Sequence, residues 1–139
     1  MSSFSTIACC IDLTENNEDI VSYCREMAEL TGAKIILVHV LPPVGSFSNY
    51  GSGYDKLKKV AEDSRSETEK HVREFAAKYF SDLPCSPLVL TGRIDEAINE
   101  LVDKKCADLV IMGSLNTHGL FNFSGKTSAR LINRSRVPV

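Results

Sequence analysis

The sequence predicts an α/β fold: a mostly parallel, five-stranded sheet with helices on both faces. Three observations carry this. Short, continuous apolar runs alternate with longer amphipathic runs along the whole chain, which is the pattern of strands joined by crossover helices. The apolar runs lack the in–out alternation of a strand with one wet face, as expected for strands covered on both sides. Glycine, proline and capping residues punctuate the joints. At 139 residues, the chain fits one domain, 1–139, in which we find no linker or internal repeat.

The first strand is Thr6 to Ile11, Thr-Ile-Ala-Cys-Cys-Ile, which would send Cys9 and Cys10 to opposite faces. Asp12 to Asn17 breaks it with capping residues. Glu18 and Asp19 favour the positive start of a helix, and Ile20, Val21, Cys24, Met27 and Ala28 follow at helical spacing. Gly32 supplies the left-handed stop. Lys34 to Val40 is a second buried strand, closed by Pro42-Pro43. The Gly- and Ser-rich stretch from Val44 to Tyr54 is a loop. A long charged helix runs from about Asp55 to Phe80, with Leu57, Val60, Ala61, Val72, Phe75, Ala76 and Tyr79 as its apolar stripe. The stripe thins at Ser64 and Thr68, where a break is expected. Pro87 to Leu90 is a short strand near an edge. Ile94, Ala97, Ile98, Leu101 and Val102 mark the next helix, and Ala107 to Met112 the fourth strand. After a loop from Gly113 to Ser124, Gly125 to Arg134 reads as the last helix. Val137-Pro138-Val139 opens a truncated fifth strand.

Composition excludes several classes. The 16 basic and 18 acidic residues leave a net charge of −2, so no whole-surface footprint for nucleic acid or an anionic membrane exists. No apolar run reaches the roughly 18 residues that cross a bilayer, and the start lacks a signal peptide's charged-then-apolar order. The five cysteines, Cys9, Cys10, Cys24, Cys85 and Cys106, form neither a CxxC pair nor a Cys/His cluster. They point to buried apolar thiols in a reducing, cytoplasmic setting, with no metal site.

In a parallel sheet, ligands sit beyond the carboxyl ends of the strands, where the strand order reverses. That rule selects Asp12, Val40 to Pro43, Thr91-Gly92 and the residues from Gly113 onward. Gly113 ends a buried strand and opens a glycine-bearing loop, an arrangement that lets backbone N–H groups approach an anion; it could equally make a tight turn and nothing more. Asp12 could cap the first helix or contact a ligand. Ser124-Gly125-Lys126-Thr127 resembles the end of a P-loop, but that motif needs glycine at Leu120, whereas Gly119 stands one position early. His39 and His71 read as structural or solvated, and His118 as a solvated loop residue. No Ser/His/Asp or Cys/His triad is legible, and no catalytic residue is assigned.

These segments resemble the universal stress protein family. The resemblance rests on Ile-Ala-Cys-Cys-Ile-Asp-Leu-Thr near the start and Ile-Leu-Val-His-Val-Leu at 36–41. It continues through Thr-Gly-Arg-Ile-Asp-Glu-Ala-Ile at 91–98, Ala-Asp-Leu-Val-Ile-Met-Gly-Ser at 107–114 and the closing Arg-Val-Pro-Val. It implies a sheet like that of the adenine-nucleotide alpha hydrolases, a cytoplasmic homodimer and a stress-response role. ATP or AMP, with or without magnesium, would be a regulatory ligand hydrolysed slowly or not at all.

Nucleotide-binding members carry Gly-x2-Gly-x9-Gly-Ser/Thr after the fourth strand. Gly113 fits the first glycine, Asn116 takes the second, Gly125 arrives one residue early and Lys126 replaces the hydroxyl residue, with Thr127 following. The resemblance further assigns Asp12 to the ribose and the Val40 backbone to adenine. Asn116 blocks close backbone approach, and Lys126 exchanges a short donor for a cation. The alternative reading is therefore a nucleotide-free dimeric interaction module of the same family.

Overall fold

The computed structural model describes residues 4–13, 17–41, 54–105, 107–113, 131–133 and 135–139. In chain order these form β1 (Thr6–Cys10), α1 (Glu18–Thr31), β2 (Lys34–Leu41), α2 (Tyr54–Tyr79), β3 (Cys85–Thr91), α3 (Ile94–Lys105) and β4 (Leu109–Met112). The strands lie in the order β3-β2-β1-β4, and every neighbouring pair is parallel. The expected α/β class holds.

The strand count differs from expectation: the described residues hold four strands, not five. Val137 to Val139 runs beside β4 without entering a ladder. The Val110 N–H donates to the Pro138 carbonyl at 2.9 Å, but Pro138 has no N–H with which to answer it.

β1 is buried along its whole length. Ala8 and Cys10 join Ile36, Val38 and Val40 beneath α3, together with Leu131 of a short helical stretch at 131–133. Ile7, Cys9 and Ile11 join Ile35 and Leu37 beneath α1 and α2, with Cys24, Val72 and Phe80. Adjacent Cys9 and Cys10 thus face different cores, as strand alternation requires. The handedness of the connections explains the layering. The β1–α1–β2 and β2–α2–β3 crossovers step in one direction across the sheet, whereas β3–α3–β4 steps back. Right-handed crossovers of opposite sense place their helices on opposite faces. Fully buried side chains such as Ile7, Leu37, Phe80, Ile98 and Leu131 contribute roughly 1.5–3 kcal/mol each.

Gly32 ends α1 at φ 71°, and its N–H donates to the Ala28 carbonyl at 2.8 Å. α2 continues through Ser64 and Thr68 without the expected break. A polar anchor substitutes there for the missing apolar stripe. The Arg65 guanidinium donates to Thr91 Oγ1 at 2.6 Å and to the Val89 carbonyl at 2.7 Å, fixing mid-helix to β3, while Val72 is buried about two turns later. The same contacts shield the outer edge of the sheet. β3 bonds β2 through its even-numbered residues, shown by Ile35 N–H to Pro84 and Gly92 N–H to Leu41. Pro87 and Val89 therefore turn their main chain outward. Pro87 has no N–H to leave unpaired there, and Arg65 occupies the Val89 carbonyl, two devices that discourage strand addition.

Two carboxylates tie elements together. Arg25 of α1 donates to both oxygens of Asp82, at 2.8 and 2.6 Å, and to the Tyr79 carbonyl at 2.8 Å. The Arg25 hydrogen bond holds the Asp82 carboxyl down at about 2. Asp108 Oδ2 accepts from the Ser5 N–H and Oγ, both at 2.9 Å, and from the Thr6 N–H at 3.0 Å, joining the starts of β1 and β4. The Ser5 N–H, then its hydroxyl, holds the Asp108 carboxyl below its ordinary value.

Both carboxyls are depressed in the folded state. Their stabilisation is therefore present above the ordinary carboxyl range and lost as pH falls, for Asp82 through about 2. The double variant Asp82→Asn, Asp108→Asn should melt lower at neutral pH and lose less Tm between about pH 5 and about pH 2 than the parent. Thermal melts followed by circular dichroism check this; parallel pH profiles would place the acid sensitivity in other groups.

Candidate functional site at the carboxyl end of the sheet

The strand order reverses at β1. From β1 the chain moves through α1 to β2 on one side, while β4 on the other side is entered from β3 through α3. β1 and β4 therefore meet at the reversal of strand order, the position at which ligands of parallel sheets gather.

Register identifies what lines it. Cys10 pairs with Val38, and the Ile11 N–H donates to the Val38 carbonyl at 3.0 Å. Continued two residues, that register sets Asp12 beside Val40. Cys10 also pairs with Met112, which sets Gly113 beside Ile11. The fold thus brings together three residues that the sequence selects from chain positions about a hundred apart. Asn116, Gly125, Lys126, Thr127 and His118 lie outside the described residues, as does Cys106.

Asp12 is buried, with 4% of its surface exposed. It does not cap α1. That helix begins at Glu18, and its N-cap is Asn17, so the capping interpretation of Asp12 is corrected: the chain runs five residues past Asp12 before the helix starts. Asn17 in turn makes no side-chain cap bond. Its Nδ2 donates instead to the Asp12 carbonyl at 2.7 Å, and its Oδ1 accepts from the Asp12 N–H at 3.4 Å.

His39 is buried and structural, as expected, with Nδ1 2.9 Å from the Ile11 carbonyl. A carbonyl only accepts, so Nδ1 carries the proton. Neither contact is legible in the sequence. Asn17 reads as one more capping residue, and nothing in its spacing distinguishes a side chain that turns back to the strand from one that turns forward to the helix.

Gly113 is not in the left-handed region; among the described glycines only Gly32 and Gly92 are. A Cβ built at Gly113 would lie 3.2 Å from Ile20 Cδ1, so the first turn of α1 closes against this position. At the third strand end, Gly92 has φ 137° and donates to the Leu41 carbonyl at 2.9 Å, while the Thr91 hydroxyl is engaged by Arg65. These residues shape the wall of the site through structural bonds.

The thiols of Cys9, Cys10 and Cys85 are poor nucleophiles at neutral pH. Burial pushes Cys85 up to about 11 and raises Cys10, and the Cys24 contact together with burial raises Cys9. Among the described residues, no group of three or more His, Cys, Asp or Glu is placed to hold a metal ion, and no helix is long and apolar enough to cross a membrane. A groove of about 190 Å³ between α2 and β3, lined by Arg65, Glu69, Arg73 and Pro87 among others, lies at the sheet edge, two strands from β1.

Comparison with known proteins yields a consistent set. The model of the universal stress protein family matches residues 3–139. Universal stress protein G of Escherichia coli O157:H7 is 25% identical over 139 residues, spanning 98% of this chain and 96% of that protein. A universal stress protein family structure from Burkholderia pseudomallei superposes with a TM-score of 0.69 at 16% identity, covering 98% of this chain and 93% of that one. A universal stress protein in complex with cAMP superposes with a TM-score of 0.57 at 20% identity, covering 99% and 95%.

The Gly113–Ile20 approach generates a test. Gly113→Ala should be tolerated, because the tip of Ile20 can yield by a few tenths of an ångström. Gly113→Val should cost about 1–3 kcal/mol by overpacking, and Ile20→Ala in the same chain should recover much of it. Urea unfolding measures both; no recovery would remove this contact as the reason for glycine.

Proposed function

The chain belongs to the universal stress protein family, and from that footing we propose that it binds an adenine ribonucleotide, ATP or AMP, in the crevice beyond β1 and β4 as a regulatory ligand. The observation that carries this reading is the meeting of a buried carboxylate, Asp12, with the end of β2 at Val40 and the end of β4 at Gly113. A carboxylate accepts from ribose hydroxyls, a strand end offers main-chain groups to the adenine edge, and a glycine leaves room for phosphates. The cAMP complex of a structural neighbour supports the ligand class. Asn116, Gly125, Lys126 and Thr127 would complete the phosphate side, with Lys126 as the cation and magnesium as an optional companion. The reading assigns no catalytic residue and expects hydrolysis to be slow or absent. A nucleotide-free interaction module is the second reading, favoured by Asn116 where the family motif has glycine.

A homodimer working in the cytoplasm completes the proposal. Among the described residues β4 is the last strand on its side of the sheet, and the N–H of Val110 donates to Pro138 outside any ladder, so that side suits association with a second copy. The free thiols of Cys9, Cys10, Cys24 and Cys85 suit a reducing compartment.

Native mass spectrometry of the purified chain should reveal co-purified adenine nucleotide, and calorimetry should give binding with ATP and magnesium. Asp12→Ala should weaken ATP by about 1–3 kcal/mol, the range for bonds to a charged group, and reduce the preference for ribo- over deoxyribonucleotide. No heat at millimolar ATP would leave the second reading in place. Light scattering should report a dimer at micromolar concentration; a monomer both with and without ATP removes that part of the proposal.

A further inference from the structure

The main chain at Asp12 is held by side chains and not by a ladder. β1 ends at Cys10. Beyond it, the Ile11 N–H still bonds β2 through Val38, but the Ile11 carbonyl faces the His39 ring at 2.9 Å, and the Asp12 carbonyl accepts from Asn17 Nδ2 at 2.7 Å. Asn17 stands at a helix N-cap, where its side-chain oxygen would ordinarily accept from the helix's own N–H groups. Here its backbone, at φ −104° and ψ 17°, is not in the extended conformation from which a cap bond is made, and none forms; its oxygen faces the Asp12 N–H at 3.4 Å. One end of this brace is rooted in β2 and the other in α1, so the carboxylate between them is fixed from two elements.

We propose that Asn17 and His39 are positioning residues that set the Asp12 carboxylate for ribose. The inference rests on the nucleotide reading and adds the residues that make Asp12 selective. A carboxylate that accepts from two adjacent hydroxyls must be placed within a fraction of an ångström. The Asp12 side chain has only two rotatable bonds, so a main-chain shift there passes directly to its oxygens. The two Asn17 bonds to the Asp12 peptide groups oppose that shift, and His39 holds the preceding peptide.

Asn17→Ser is the decisive variant. Serine is accepted ahead of a helix as readily as asparagine, so α1 and the Tm should be kept, but it is too short and lacks the amide to grip both Asp12 backbone groups. ATP affinity, measured by calorimetry, should fall about tenfold, and the ATP to 2′-deoxy-ATP ratio should drop to that of Asp12→Ala. The pair Asp12→Ala, Asn17→Ser should bind no more weakly than Asp12→Ala alone. His39→Leu should lower the ratio likewise, and His39→Asn, whose amide nitrogen can stand near Nδ1, should restore it. A parent chain that prefers ATP, with Asn17→Ser preferring it equally, overturns this inference and leaves the nucleotide reading intact. A parent chain that binds no ribonucleotide overturns both.

Discussion

Everything in this molecule is arranged around β1. All five of its residues are buried, and Ile7 to Cys10 pair with strands on both sides, so those four must be small or apolar. That requirement fixes the neighbours. α1 and α2 must close one face and α3 the other, because a right-handed chain that leaves β1 in one direction and returns from the far side can do nothing else. It also fixes where polar chemistry can begin. Asp12 is the first residue past the strand's end that can carry a charge, and it emerges where the strand order reverses. The site is a consequence of where the buried strand stops.

Most of the architecture was legible because its signals are local. Thr6–Ile11 and Lys34–Val40 could be read as doubly covered strands from unbroken apolar runs, and Gly32 as a helix stop from its residue type. Pro84 and Pro87 pointed to an edge, and β3 is one. The misreadings have two causes, a partner distant in sequence and a missing backbone donor. The weak stripe at Ser64 and Thr68 suggested a break in α2 because Arg65 and Thr91, 26 residues apart, cannot be paired by periodicity. Val137-Pro138-Val139 read as a strand from composition, but a ladder needs donors, and Pro138 has none.

The site was legible in part. Asp12, Val40 and Gly113 follow from the rule that ligands gather at strand ends, and the register sets them side by side. What could not be read is how Asp12 is held. Asn17 differs from an ordinary capping asparagine in its backbone angles and in the direction of its side chain, and His39 differs from an ordinary core histidine in facing a carbonyl beyond the ladder. At Gly113 the feature the sequence hides is the approach of Ile20 from α1, since the backbone there is not left-handed.

The neighbouring thiols Cys9 and Cys10 have a further consequence. They are chemically identical and one residue apart, yet one is sealed beneath α1 and α2 and the other beneath α3. Each can meet a solvent-borne reagent only when its own helical layer lifts. Slow labelling of the native protein would therefore time the opening of the two layers separately, from adjacent positions on one strand. Equal rates would mean that the sheet loses both coverings in a single cooperative event, and unequal rates would identify the layer that breathes first. The chain carries, unmodified, a pair of internal clocks for the two halves of its own core.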